Sequence, residues 1–279
     1  MHITYKNSKI SFHTEGQGDA VVLLHGFTGS TGIWDAFVLD ISARNQVIVI
    51  DLPGHGNSEC WGEVHTMQNM GSMVKKVLDR LGIERAVVIG HSMGGYIALA
   101  MAKLYPQLIA GLGLFHSTAL ADSTQAKENR ERAINLIRRN HKDFLIQFIP
   151  ELFSPDTRSM FSREIAYLIA QAKQMTPEAI VAAQKGMMQR DENLEVLMNA
   201  PFPVMFIAGQ KDSRIPFDSI LPQITLAPQA YSLTLRNCGH MGFIEAREQC
   251  LEFTKAFIRA CYNTPMALTE WAENTQNTQ

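Results

Sequence analysis

Cysteine is scarce in this chain: Cys60, Cys238, Cys250 and Cys261 are the four in 279 residues. They are too sparse for a disulfide framework and lack metal-ligand spacing, so all four are expected as free thiols and no metal is expected. An excess of one charge is also missing. With 25 Lys and Arg against 27 Asp and Glu, the formal net charge is −2. No basic stripe or zinc-finger spacing is present, which argues against a nucleic-acid partner. There is no run of about eighteen apolar residues to span a membrane. The first residues, Met1-His2-Ile3-Thr4-Tyr5-Lys6-Asn7-Ser8, carry neither the charged n-region nor the apolar h-region of a signal peptide. A soluble, cytoplasmic protein is expected, a monomer or homodimer with no membrane partner. What the chain does have is 46% hydrophobic content, enough for one large domain with a deep core.

The run Val87-Val88-Ile89-Gly90-His91-Ser92-Met93-Gly94-Gly95 takes a β-branched strand into Gly-x-Ser-x-Gly and then into the helix-like Tyr96-Ile97-Ala98-Leu99-Ala100-Met101. This is the pattern of a nucleophile elbow. A serine held in a strained, positive-φ corner leaves no room for a Cβ two residues before or after it, hence glycine at 90 and 94. Ser92 is the expected nucleophile. The N–H of Met93, at a helix N-terminus, is an expected oxyanion donor.

Two downstream strands supply the partners. Pro203-Val204-Met205-Phe206-Ile207-Ala208-Gly209 leads to Gln210-Lys211-Asp212, and Tyr231-Ser232-Leu233-Thr234-Leu235 leads to Asn237-Cys238-Gly239-His240. A serine hydroxyl is a poor nucleophile until an imidazole accepts its proton, and the imidazole needs a carboxylate to fix its tautomer. The order Ser92, Asp212, His240 meets that need. Asp122 is the rival for the acid.

In the N-terminal half, the strand Ala20-Val21-Val22-Leu23-Leu24 runs into His25-Gly26-Phe27-Thr28-Gly29, where the Phe27 N–H is the expected second oxyanion donor. The strand Gln46-Val47-Ile48-Val49-Ile50 ends in Asp51-Leu52-Pro53-Gly54-His55-Gly56-Asn57-Ser58. From about residue 20 to 260 the chain resembles the α/β-hydrolase superfamily. The motifs are His-Gly-Phe, Asp-Leu-Pro-Gly-His-Gly-Asn-Ser, Gly-His-Ser-Met-Gly-Gly, Gly-x-x-Asp and Gly-His. The resemblance implies an α/β-hydrolase fold: a central, mostly parallel sheet flanked by helices, a variable cap after the sixth strand, and no cofactor. Alternation of apolar strands and helical stretches points the same way. One departure is visible, since Glu245 is followed by Ala246 and Arg247 where a proline two residues after the glutamate is usual. Its effect is expected on the start of the last helix more than on the site.

Residues 2–14 read as a hairpin. Residues 119–200 break the alternation and read as helical throughout, with helix starts at Ser154-Pro155-Asp156 and Thr176-Pro177-Glu178. The expected division is an α/β-hydrolase core from 1–118 and 201–262, a helical cap from 119–200, and a flexible tail from 263–279. Thr28, His116, Phe148, Met187 and Met188 are candidate pocket residues. Met160, Met175, Met198, Phe153 and Phe161 are further cap residues that read mainly as core. Asn129-Arg130-Glu131-Arg132 with Arg138-Arg139 reads as a solvated helix face, a substrate carboxylate being the sharper alternative. His25, His55 and His91 read as satisfying backbone groups.

Ser92 stands where haloalkane dehalogenases and epoxide hydrolases of similar fold need a carboxylate, which disfavours both. A menaquinone-pathway synthase of the superfamily usually carries arginine directly after Gly-Gly, where this chain has Tyr96. The function expected is hydrolysis of small or medium, mostly apolar carboxylic esters through an acyl-enzyme, with lactones or thioesters within reach. The alternatives are a C–C bond hydrolase or lyase-type relative, and a ligand receptor with a vestigial site.

Overall fold

A computed structural model describes residues 1–262. The expected flexible tail, 263–279, lies outside the described residues. The elements run β1 (His2–Tyr5), β2 (Ser8–Glu15), β3 (Ala20–Leu24), α1 (Asp35–Ile41), β4 (Gln46–Ile50), α2 (Met67–Leu81), β5 (Ala86–His91), α3 (Met93–Leu104) and β6 (Ile109–Phe115). Then come α4 (Thr124–Phe148), α5 (Ser162–Ala172), α6 (Pro177–Met188), α7 (Leu194–Met198), β7 (Val204–Gly209), α8 (Leu221–Ile224), β8 (Ala230–Leu235), α9 (Gly242–Glu245) and α10 (Arg247–Tyr262).

The strands form one eight-stranded sheet in the order β1-β2-β4-β3-β5-β6-β7-β8. β1 pairs with β2, and β2 with β4, antiparallel; every other pairing is parallel. The inner parallel strands are covered on both faces, so their sequences are near-continuously apolar, whereas the edge strand β8 alternates. In β3, Val22 and Leu24 face the layer built from α2 and α3, while Val21 and Leu23 face the layer containing Phe37 and Ile41 of α1 and Phe253 and Phe257 of α10.

The helices follow their local signals. Thr66 caps α2 by accepting from the Asn69 amide, and Gly82 ends it at φ 68°. Met70, Met73, Val74 and Val77, spaced to share one face, are its buried side. Thr176 caps α6 in the same manner, as its Thr-Pro-Glu start predicts. The Ser154-Pro155-Asp156 signal starts no α-helix. The Ser154 amide is taken by the Glu245 carboxylate at 2.8 Å, and α5 begins only at Ser162. α4 is kinked at Asn140 (φ −159°, ψ 93°), whose Oδ1 accepts from the amides of Lys142 and Asp143 and so restarts the helix. No helix among the described residues is long and apolar enough to cross a membrane.

Besides His240, five imidazoles are buried among the described residues: His25, His55, His65, His91 and His116. Burial holds all five below the usual histidine range, His65 down to about 4. The unfolded chain binds these protons near pH 6.5 and the folded chain only at lower pH. Their contribution to stability is therefore complete above pH 6.5 and is lost as pH falls from there toward 4. Each group costs up to about 1.4 kcal/mol per pH unit within that window. The thermal midpoint is expected to drop by about 10 °C between pH 7.5 and 5.5, measured by circular dichroism. A midpoint unchanged over that range would overturn this account.

Candidate active site

β5 ends at His91 and α3 begins at Met93, which leaves Ser92 alone in the turn at φ 51°, ψ −115°. A Cβ on Gly90 would collide with the backbone of Gly94, and one on Gly94 with the carbonyl oxygens of Leu24 and His25. Only glycine lets the helix start so close to the strand ends. The Ser92 amide donates to the Phe115 carbonyl at 2.9 Å, and the Ser117 hydroxyl donates to the Ser92 carbonyl at 2.8 Å. These bonds pin the strained corner to the end of β6. Met93 is the first residue of α3, so its amide has no intrahelical acceptor.

The loop after β3 lies against this corner: a Cβ on Gly26 would come within 3.2 Å of the Ser92 Cβ. Phe27 follows, its ring edge-on to Phe148 at 5.6 Å. His25 accepts from the Leu52 amide at 2.9 Å through Nε2 and donates to the Gly26 carbonyl at 2.8 Å through Nδ1. His55 and His91 likewise satisfy backbone carbonyls, of Pro53 and His240, at 2.9 Å each. This is the backbone role expected for the three.

Asp212 follows β7, and its carboxylate accepts four hydrogen bonds. Oδ1 takes the amides of Arg214 and Ile215 at 2.8 and 3.0 Å. Oδ2 takes Nδ1–H of His240 at 2.7 Å and Nδ1–H of His116 at 3.1 Å. Burial alone would raise the Asp212 pKa, but the two imidazoles outweigh it and hold the carboxyl far below its usual range. The donor atoms of His116, Asp212 and His240 lie within 4.8 Å of one another, a spacing that could also suit a metal ion. Hydrogen bonds from both imidazoles to one oxygen account for that spacing.

His116 corrects the sequence expectation. It is not a pocket residue: it is 1% exposed, backs Asp212 from behind, and its Nε2 has no partner among the described residues. Its backbone is strained at φ 47°, and a Cβ on Gly242 would strike that same Nε2. Glu245 is the other residue whose part was missed. Its carboxylate accepts from the amides of Gly239 and Met241 at 3.1 Å, on either side of His240, and from the Ser154 amide. It thus fastens the His240 loop to the segment after α4. A glutamate five residues after a Gly-His pair was the available signal.

A cavity of about 480 Å³ opens over Ser92 and His240. Its apolar wall includes Ile33, Phe144, Phe148, Leu152, Leu168 and Met187, mostly from α4, α5 and α6. Of the candidate pocket residues, Thr28, Phe148 and Met187 line this cavity. Met188 does not; it is half-buried and packs against a different part of the core from Met187. Met160 and Met198 are exposed, while Met175 and Phe153 are buried in the core and Phe161 packs against it. Asp122 stands apart from His240 and is held by Arg130 and Arg190. Arg130, read as part of a solvated face, instead turns into the cavity.

The chain matches the model of the alpha/beta hydrolase fold family over residues 19–247. It belongs to that family and is an enzyme of the hydrolase class. It is 30% identical over 253 residues to a dihydrolipoyllysine-residue acetyltransferase component of an acetoin cleaving system from Pseudomonas putida, covering 89% of this chain and 66% of that protein. The chain thus spans just under two thirds of that longer relative. A pimeloyl-[acyl-carrier protein] methyl ester esterase of Nitrosomonas europaea is 28% identical, with 87% of this chain and 96% of the relative covered. Among solved structures, a thermophilic esterase from Thermogutta terrifontis with malate bound superimposes with a TM-score of 0.87 at 29% identity, covering 92% of this chain and 95% of that one.

Proposed function

We propose that the protein is a serine hydrolase that cleaves carboxylic esters, with lactones and thioesters open to the same chemistry. The observation that carries this reading is Ser92 in a strained elbow on the same cavity as His240, whose Nδ1 is held by Asp212 at 2.7 Å. The esterase named among the relatives and the esterase among the structural neighbours support it.

In this mechanism His240 takes the Ser92 proton through Nε2 as Oγ attacks the ester carbonyl. The Asp212 carboxylate keeps the Nδ1–H tautomer in place and stabilises the imidazolium. The Phe27 and Met93 amides receive the oxyanion of the tetrahedral intermediate. His240 then returns the proton to the departing alcohol. Water, deprotonated by the same imidazole, attacks the acyl carbon, and His240 returns that proton to Ser92 Oγ as the acyl bond breaks and the acid leaves.

Residues 119–200, the cap in this reading, set substrate choice because the elbow and amides are fixed backbone features. Each methylene buried in the apolar wall adds about 0.8 kcal/mol, or about three- to fourfold in kcat/KM, until the cavity is full. A series of p-nitrophenyl esters from acetate to palmitate is expected to show a rise over the first few carbons and then a collapse. Substituting Phe148 or Met187 is expected to move the optimum, and Met188 to leave it in place. Steady turnover after any burst supports the esterase; a single stoichiometric burst would make the protein a receptor with a vestigial site. A flat chain-length profile would place the acyl group elsewhere.

A further inference from the structure

Three arginines line the cavity over Ser92, namely Arg130, Arg190 and Arg214, and among the described residues Asp122 is the one carboxylate that lines it with them. Asp122 has a side chain only 4% exposed and bridges two of them, accepting from Arg130 Nε at 2.6 Å and from Arg190 Nη1 at 2.5 Å. Arg130 directs Nη1 to Gln184 Oε1 at 2.9 Å. Arg190 directs Nε to the Leu120 carbonyl at 3.2 Å and Nη1 also to the Met187 carbonyl at 3.0 Å. Its guanidinium lies 4.1 Å over the Tyr96 ring. The Nη2 groups of both arginines have no acceptor among the described residues, neither is sealed from solvent, and both residues line the cavity. Arg214 rests 4.7 Å over Phe148 with no carboxylate within ion-pair distance among the described residues.

A neutral acyl chain has no use for this wall. Taking cations out of water is costly, and an excess of guanidinium over carboxylate in a concave site is relieved by an anion that enters with the substrate. The free Nη2 groups suit a carboxylate, which accepts charge-assisted N–H bonds from guanidinium. Position sets the reach. Tyr96 lies one turn along α3 from Ser92, about 6 Å, and Arg190 stacks on it.

We propose that Arg130 and Arg190, braced by Asp122, form an anion subsite, so that the substrate carries a carboxylate a few carbons from the ester that Ser92 attacks. Arg214 adds a third positive charge to the same cavity. The substrate class is then a monoester of a short dicarboxylic acid, or an ester whose alcohol part bears the carboxylate. The inference rests on the esterase reading above.

The test compares monomethyl with dimethyl esters of the dicarboxylic acids from succinate to suberate, which differ at each length by one charge. The monomethyl ester is expected to be favoured by about tenfold or more in kcat/KM at the best length, mainly through KM. Arg130→Gln is expected to lower that ratio by about tenfold, and Arg130→Lys to retain part of it. A second arm compares acetoxyacetate with its methyl ester; a preference for the acid there, and not in the first arm, puts the anion on the alcohol side. A ratio of one or below in both arms overturns the proposal, as does a ratio unmoved by Arg130→Gln, which would make the triad a brace for the helices. Should Arg130→Gln fail to fold, inhibition of the wild-type enzyme decides: adipate must compete far better than hexanoate, and equal inhibition overturns the subsite. Should the wild type cleave none of these esters, the esterase reading fails separately, and titration calorimetry with adipate decides the subsite: binding supports it and no binding overturns it.

Discussion

Replacing Ser92 by alanine is expected to lower ester turnover by about 10⁴-fold or more, and His240→Ala by a similar factor, because nucleophile and base act as one unit and removing either leaves only the oxyanion donors and binding. The fold is expected to survive Ser92→Ala. The strained φ of 51° is imposed by surrounding bonds, the Ser92 amide to Phe115 and the Ser117 hydroxyl to the Ser92 carbonyl, and none of them uses the Ser92 side chain. Circular dichroism and the thermal midpoint check this separately from activity. A fluorophosphonate is expected to add its mass to the peptide containing Ser92. Labelling of Cys60 or Cys238 would point to a thiol nucleophile instead. More than a few per cent of wild-type turnover in Ser92→Ala would remove Ser92 from the mechanism.

The sheet was legible because parallel strands buried on both faces leave a strong local trace. The apolar runs at 20–24, 46–50, 86–91 and 204–209 are all buried strands, and the alternating run at 230–235 is the partly exposed edge strand β8. The elbow was legible for a steric reason, since glycine at 90 and 94 is demanded by contacts one can derive from the turn itself. His116 was not. Its partner Asp212 lies 96 residues away, and nothing local to either residue shows that β6 and β7 end side by side. Met187 and Met188 show a second limit. Adjacent helical residues point about 100° apart, so a pattern of methionines marks α6 but not which of them faces the cavity. Arg130 failed likewise: mixed charge along α4 describes the helix, whereas the cavity depends on how the helix is rotated against α6. Fold and the setting of Ser92 are encoded within short windows of sequence. The pocket is encoded in how distant helices pack.

Asp212→Asn is expected to lower kcat by about 10³- to 10⁴-fold with little change in KM, because the carboxylate acts on the imidazole and not on bound substrate. The four hydrogen bonds at Asp212 set what the amide can and cannot replace. One oxygen accepts two backbone amides and the other accepts two imidazole N–H groups. An amide offers one oxygen, so one of these pairs must face an NH₂ donor. If the oxygen stays with the backbone amides, His240 meets the NH₂ and must carry its proton on Nε2, where it cannot accept one from Ser92. If the side chain turns over, the amides of Arg214 and Ile215 lose their acceptor and the loop holding residue 212 is weakened. Either outcome costs catalysis, and a competitive inhibitor binding as in the wild type would separate the first from the second. Asp122→Asn is expected to change turnover of a neutral ester by less than about tenfold, since Asp122 braces arginines and touches neither His240 nor Ser92. The reverse ranking of the two variants would move the acid to Asp122, which the arginine bridge makes a poor acceptor for His240.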